Sequence, residues 1–211
     1  MKKEWLIENN FIWHSDASRL KKFIYQYEIF KKTKNLKGSV VECGVFKGNS
    51  LIRLLTYNSI LNKKKNTKKF FGFDTFSKFP KSKFHSDQKF IDEWTSSAGQ
   101  GIRKKELKKI IERKKFKNVK LIEGNIFKTL KPAITRYIKK ISFLHLDLDT
   151  FDPTYYALNT LYKKIEKGGI ILVDDYDTVE GATVATNKFV KENNLKINKF
   201  DLDFKPIYLI K

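Results

Sequence analysis

The sequence predicts an α/β fold, a mostly parallel sheet with helices on both faces. Three observations carry that prediction. Apolar runs of strand length alternate with segments of helical periodicity along the chain. The runs are rich in Val, Ile, Leu and Phe with little alternation, as expected of strands covered on both faces. Each run also ends in glycine or a carboxylate, residue types that serve a polar ligand at the carboxyl edge of such a sheet.

Residues 1–35 read as an N-terminal helical segment, with Leu20, Phe23, Ile24, Tyr27 and Phe30 at helical spacing over 17–33. Residues 36–211 read as the main domain. "SVVECG" (39–44) is a first strand, and "NSLIRLLTYNSIL" (49–61) a helix capped by Asn49 or Ser50. "KKFFGFD" (68–74) is a second strand. Residues 77–103 are too long and polar for a simple crossover and read as a lid insertion. "KKELKKIIERKKF" (104–116) is an amphipathic helix. "NVKLIEG" (118–124) and "ISFLHLD" (141–147) are strands. Pro153 opens a helix that runs to Ile165, since proline suits a first turn. "GGIILVDD" (168–175) is the fifth strand and 179–192 a helix. "LKINKFD" and "KPIYLIK" close the chain as a hairpin.

With 211 residues, 41% hydrophobic, the chain can bury one full core. No apolar run approaches the ~20 residues of a membrane span, and the N-terminus lacks the pattern of a signal peptide. The single cysteine, Cys43, excludes an intrachain disulfide, and a cytoplasmic protein is the expectation. The net charge of +21 raises nucleic acid as a partner. Only five of the 44 basic residues are arginine, however, and arginine is the residue of bidentate base and phosphate readout. Nucleic acid is therefore set aside, and the charge is read as drift on a solvated, lysine-rich surface. Trp5, Phe11 and Trp13 are expected to find cover, over the site or in a homo-oligomer.

The strand ends hold the chemistry. Gly44 and Gly48 in "VVECGVFKGNS" let backbone approach a ligand and aim helix N–H groups at it, with Ser50 beside them. Glu42, near a buried strand end, wants a cationic partner such as an ammonium group. Asp74, about 30 residues past the glycine turn, suits the two hydroxyls of a ribose. Asp147, Asp174 and Asp175 converge on neighbouring strand ends. Such a cluster holds either a proton or a hard divalent cation such as Mg²⁺. Asp149 and Asp177 lie further out on the loops. His85, in the lid, is a candidate base; His145, inside a strand, is a core residue. Trp94 and Tyr176 are candidate pocket-lining aromatics.

Taken in order, "VVECGVFKGNS", "FGFDTFSKFP", "KLIEGNIFKTL", "LHLDLDTFDPTYYALNTLYKKIEKGGIILVDDYD" and "GATVATNKFV" resemble the macrocin O-methyltransferase (TylF/MycF) family over about 19–189. The resemblance implies a single Rossmann-like class I methyltransferase domain with a seven-stranded sheet of order 3-2-1-4-5-7-6. It implies S-adenosylmethionine and Mg²⁺ as cofactors and a sugar hydroxyl of a small molecule or glycan as acceptor. Glu42 and Gly44 look like contacts to the methionine end, Asp74 like the ribose acid, and Gly124 and Asn125 like the adenine site. Asp147, Asp174 and Asp175 match the magnesium ligands. Asp147 or His85 takes the proton. Phe151 stands where the family usually has tyrosine. Two alternatives remain. One is a metal-dependent glycosyltransferase using the "DLD" element. The other is an RNA methyltransferase or nucleic-acid-binding protein, suggested by the charge.

Overall fold

The structure is a computed structural model and describes residues 2–62, 68–82, 84–200 and 206–211. A helical pair comes first, α1 (Lys3–His14) and α2 (Ala17–Lys32). Strand and helix then alternate: β1 (Ser39–Cys43), α3 (Asn49–Leu61), β2 (Phe70–Asp74), α4 (His85–Ala98), α5 (Lys104–Arg113), β3 (Val119–Glu123), α6 (Ile126–Tyr137), β4 (Ile141–Leu146), α7 (Phe151–Leu161), β5 (Ile165–Val173), α8 (Glu180–Glu192) and β6 (Ile207–Ile210).

The sheet runs β3-β2-β1-β4-β5-β6, parallel throughout except for β6, which pairs antiparallel with β5. Among the described residues it therefore has six strands, against the expected seven. The outer partner of the expected hairpin is reduced, among the described residues, to one bridge between Asn198 and Tyr208. The rest of the expected hairpin, at 201–205, lies outside the described residues. "NKFD" offers little β-branched surface to hold an edge strand.

Side-chain alternation splits the core into two layers. Val41, Cys43, Phe71, Phe73, Leu144, Leu146 and Ile171 pack toward α6, α7 and α8. Val40, Phe70, Phe143, Ile170 and Leu172 pack toward α2, α3 and α5. By the same period of two, Glu42, His145 and Asp174 fall on the α2–α3 side.

The helices follow from local signals. Asp16 caps α2, accepting from Ser18 N at 2.7 Å. Gly48, not Asn49 or Ser50, is the N-cap of α3, in the left-handed region that no side chain favours. Helix α6 is absent from the sequence reading. Asn125 caps it by accepting from Phe127 N at 3.0 Å, and Ile126, Leu130 and Ala133 bury one face despite the interior Pro132. The α7–β5 boundary falls earlier than expected. Pro153 is the third residue of α7, and Ile165 already belongs to β5, whose register shifts before Ile170.

The insertion is ordered around α4. It turns Asp87 and Ile91 inward. Helix α1 buries none of its residues: Trp5 is 61% exposed and Trp13 68%, so the other described residues do not supply their expected cover. No helix among the described residues is long and apolar enough to cross a membrane.

Candidate active site

The parallel strands end on one ledge, stitched by backbone bonds. Gly124 N donates to Asp74 O, Gly44 N to Phe73 O, Asp147 N to Cys43 O and Asp174 N to Leu146 O, all at 2.9–3.0 Å. The ledge floors a cleft of about 2320 Å³. One small ligand needs about 300–1,000 Å³, so the cleft has room for two ligands together. Gly44, Gly48, Ser50, Asp74, Gly124, Asn125, Asp147, Asp174 and Asp175 all line it. Glu42 sits just behind the ledge, fully buried.

The first half of the cleft is the glycine turn. A Cβ at Gly44 would lie 1.7 Å from the Asp147 carbonyl oxygen, so no other residue fits between β1 and the start of the β4 loop. Asp74 holds this turn in place. Its Oδ2 accepts from Val45 N and Phe46 N, both at 2.8 Å, and its Oδ1 accepts from Phe76 N at 2.6 Å. The carboxylate read as a ribose ligand is thus first a clamp on backbone.

The second half is carboxylate. Oxygen atoms of Asp147, Asp149 and Asp175 lie within 4.8 Å of one another, as do ligand atoms of His145, Asp147 and Asp174. Burial and the neighbouring negative charges push Asp147, Asp149 and Asp175 well above the usual carboxylate range. Asp149, expected to lie outside, is in the cluster; its own N–H donates to Asp175 Oδ2 at 3.1 Å. Its φ of +59° marks it as one of the few non-glycine residues in the left-handed region.

Asp174 behaves differently. Lys22 Nζ donates to its Oδ2 at 2.6 Å, and the Tyr25 hydroxyl donates to its Oδ1. His145 Nε2 faces Oδ1 at 3.6 Å, and His145 Nδ1 meets Glu42 Oε1 at 3.0 Å. Ser50 donates its hydroxyl to the same Glu42 oxygen. Burial opposes charge on both groups, but the ring's two acidic neighbours raise His145 to about 10, and His145 and Lys22 hold Asp174 below its ordinary range. One polar chain therefore runs from α3 through β1, β4 and β5 to α2. Glu42 Oε2, fully buried, has no hydrogen-bond partner among the described residues.

Helix α4 roofs the cleft and is fastened at both ends. Asp87 Oδ2 accepts from Phe151 N, the first amide of α7, at 3.0 Å. Lys47 Nζ donates to Ala98 O at 2.8 Å, and Ile102 N to Phe46 O at 2.8 Å. Phe90 and Trp94 turn into the cleft, with Trp94 against Phe46 at 5.8 Å. His85 does not reach it. It is the first residue of α4, half a helical turn from the face carrying Asp87, Phe90, Ile91 and Trp94, and it is exposed. Tyr176 does not line the cleft; its hydroxyl donates to Asn187 at 2.8 Å and its ring packs in the core.

The sequence reading missed Lys22, Tyr25 and Asp87. The first two reach Asp174 from about 150 positions away, and nothing local announces that meeting. Asp87 could have been suspected as the acid in the first turn of a helix rich in aromatics.

The comparisons agree with this geometry. The macrocin O-methyltransferase (TylF) family matches residues 17–211. The O-methyltransferase NovP superposes with a TM-score of 0.79 at 19% identity, covering 90% of this chain and 79% of its own. The calicheamicin methyltransferase CalS11 gives 0.82 at 19% identity, covering 100% and 86%. An O-methyltransferase from Bacillus cereus, in complex with SAH, gives 0.60 at 13% identity, covering 99% and 90%. No curated protein matches the chain by sequence. The glycine turn, the acidic ledge and the match over nearly the whole chain lead to one conclusion: this protein belongs to the macrocin O-methyltransferase family and is an S-adenosylmethionine-dependent O-methyltransferase.

Proposed function

We propose that the enzyme methylates a hydroxyl of a sugar, carried by a glycosylated small molecule, a nucleotide or a glycan. The observation that carries this reading is the contact of the two halves of the cleft. Gly44, at the cofactor turn, lies directly against the backbone of Asp147, the carboxylate of the acceptor half. CalS11 is described as a TDP-rhamnose 3'-O-methyltransferase, which supports a sugar as the acceptor class. The cleft lining supports it too. Seven basic and six acidic side chains line it, so the chain's +21 is not concentrated there. A nucleic-acid strand would call for a basic groove.

In the proposed step the acceptor oxygen forms a bond to the methyl carbon as the carbon–sulfur bond breaks. The sulfonium carries its own activation, so the chain's task is alignment, a contribution of about 7–11 kcal/mol in favourable cases. Asp147, whose backbone lies against the glycine turn, takes the hydroxyl proton. Glu42 and the Gly44 backbone receive the methionine end, Asp74 steadies the turn beside the ribose, and Gly124 and Asn125 flank the adenine. The roof of α4 excludes water.

The acidic half also suits a divalent cation. Buried Asp175 and half-buried Asp147 and Asp149, with ligand atoms within 4.8 Å of one another, form a hard oxygen donor set. Mg²⁺ would be held by Asp147 and Asp175, with Asp174 of the same cluster, and when bound it polarises acceptor oxygens.

Calorimetric titration with S-adenosylhomocysteine, with EDTA and then with Mg²⁺, is the test. Micromolar binding in both conditions supports the cofactor half as assigned, and a screen of sugar acceptors follows. Absent binding in both overturns the assignment of this cleft. Asp74→Ala is expected to weaken the same binding by about 1.5–3 kcal/mol.

A further inference from the structure

We infer that Lys22 and a divalent cation are alternative occupants of Asp174, so that a side chain of α2 sets the affinity of the metal site. The inference rests on the metal reading above. Its basis is the difference among four neighbouring carboxylates. Asp174 is filled, with Lys22 Nζ on Oδ2 at 2.6 Å and the Tyr25 hydroxyl on Oδ1. No side chain donates a hydrogen bond to the carboxylates of Asp147, Asp149 or Asp175 among the described residues.

Two cations serve the cluster, and they differ in freedom. His145 is fully buried within β4 and tied to Glu42 at 3.0 Å, so it cannot leave. Lys22 enters from a surface helix with 38% of its side chain exposed, and its long stem can swing out. A dication held by Asp147 and Asp175, with Asp174 of the same cluster, would meet the Lys22 ammonium that sits on Asp174 Oδ2. Repulsion between them is strong in a buried setting, and the ammonium is the occupant that can move. With Lys22 displaced, Asp174 Oδ2 becomes a ligand. Lys22 is thus a positioning residue for the ion, and it belongs to the same N-terminal pair whose Ile7 and Phe11 line the cleft.

The test is Mn²⁺ binding to the full chain, read by electron paramagnetic resonance and calorimetry rather than by turnover. Lys22→Met is expected to bind Mn²⁺ at least about tenfold more tightly than the wild type, because the competing charge is gone. Lys22→Arg keeps the charge and is expected to stay within about threefold of the wild type. Thermal melts of both variants establish that they fold. Equal or weaker binding by Lys22→Met, with Mn²⁺ still bound by the wild type, overturns the inference and leaves the metal reading standing. Equal tightening by Lys22→Arg also overturns it, since geometry rather than charge would then be responsible. No binding by any of the three proteins overturns the metal reading and the inference with it.

Discussion

The two ends of the parallel sheet bury polar groups in opposite ways. At the amino end, Lys68 Nζ donates to Leu36 O at 2.6 Å and to Ser142 Oγ at 2.9 Å. Ser142 donates onward to Gly38 O, and Gly38 N donates to Glu166 Oε1 at 2.7 Å. That network balances its one cation, Lys68, with one acid, Glu166, which draws it toward its charged form. At the carboxyl end, Asp147, Asp149, Asp174 and Asp175 gather around Lys22, with His145 beside Asp147 and Asp174. The first arrangement is complete without a ligand. The second carries excess negative charge beside a large cleft. Buried polar groups that satisfy one another report structure, and an unbalanced buried cluster of one sign reports function.

That contrast can be broken most sharply at Asp147. Asp147→Ala is expected to lower turnover by at least about 10³-fold, through loss of the base and of a cluster ligand. Its melting temperature should hold or rise by about 2–4 °C, because one of several repelling carboxylates is gone. Steady-state assays beside thermal melts check this, and a melting point several degrees lower would mean that the cluster is structural after all.

The reverse result is expected at the other end. Lys68→Ala should cost about 1–3 kcal/mol of stability, since Leu36 O and Ser142 lose a buried partner. Turnover per folded molecule should be unchanged. Urea titration with an activity assay on the native fraction decides it, and a large loss of kcat would erase the division between the two ends.

The roof gives a third, smaller effect. Asp87→Ala removes the cap on α7 and frees one end of α4, for about 1 kcal/mol of stability. A raised acceptor KM is expected, with cleavage by trypsin within 77–103. Unaltered KM and cleavage would show that the roof is held by its aromatic face alone.

The smallest effect is in pH. Burial lowers Lys68 to about 8, against 10.5 for an unburied lysine, with Glu166 pulling the other way. Between those values the unfolded chain binds the proton more tightly than the folded one. The contribution of this group to stability is therefore least favourable below pH 8 and improves as pH rises toward 10.5. The melting temperature of wild type minus that of Lys68→Met should climb between pH 7 and 10. A flat difference would remove the burial penalty assigned to Lys68.

How much of this was legible in the sequence depends on distance along the chain. The five parallel strands and the acids at their ends could be read locally, because burial on both faces imposes continuous apolar runs. The "DLD" and "DD" pairs likewise announced themselves. Helix α6 could have been read from Asn125 and the spacing of Ile126, Leu130 and Ala133, but Pro132 argued against it. His85 was placed in the site because it lies in the insertion; the helical phase of α4 turns it outward. Asp174 was grouped with its neighbours by type. What separates it is the approach of Lys22 and Tyr25 from a helix formed by the first thirty residues, a tertiary fact with no local signature.

One feature of the roof bears on how ligands come and go. With both ends of α4 hydrogen-bonded to the loops of the ledge, a flap-like swing would break several bonds at once. Helix α1 has no buried residue to give up, and local opening is easiest where least is buried. Exchange of cofactor and product is therefore expected to follow fraying of α1, whose Ile7 and Phe11 line the cleft. Amides of residues 3–14 should exchange with solvent far ahead of those of 85–98, and bound S-adenosylhomocysteine should slow the first group more than the second.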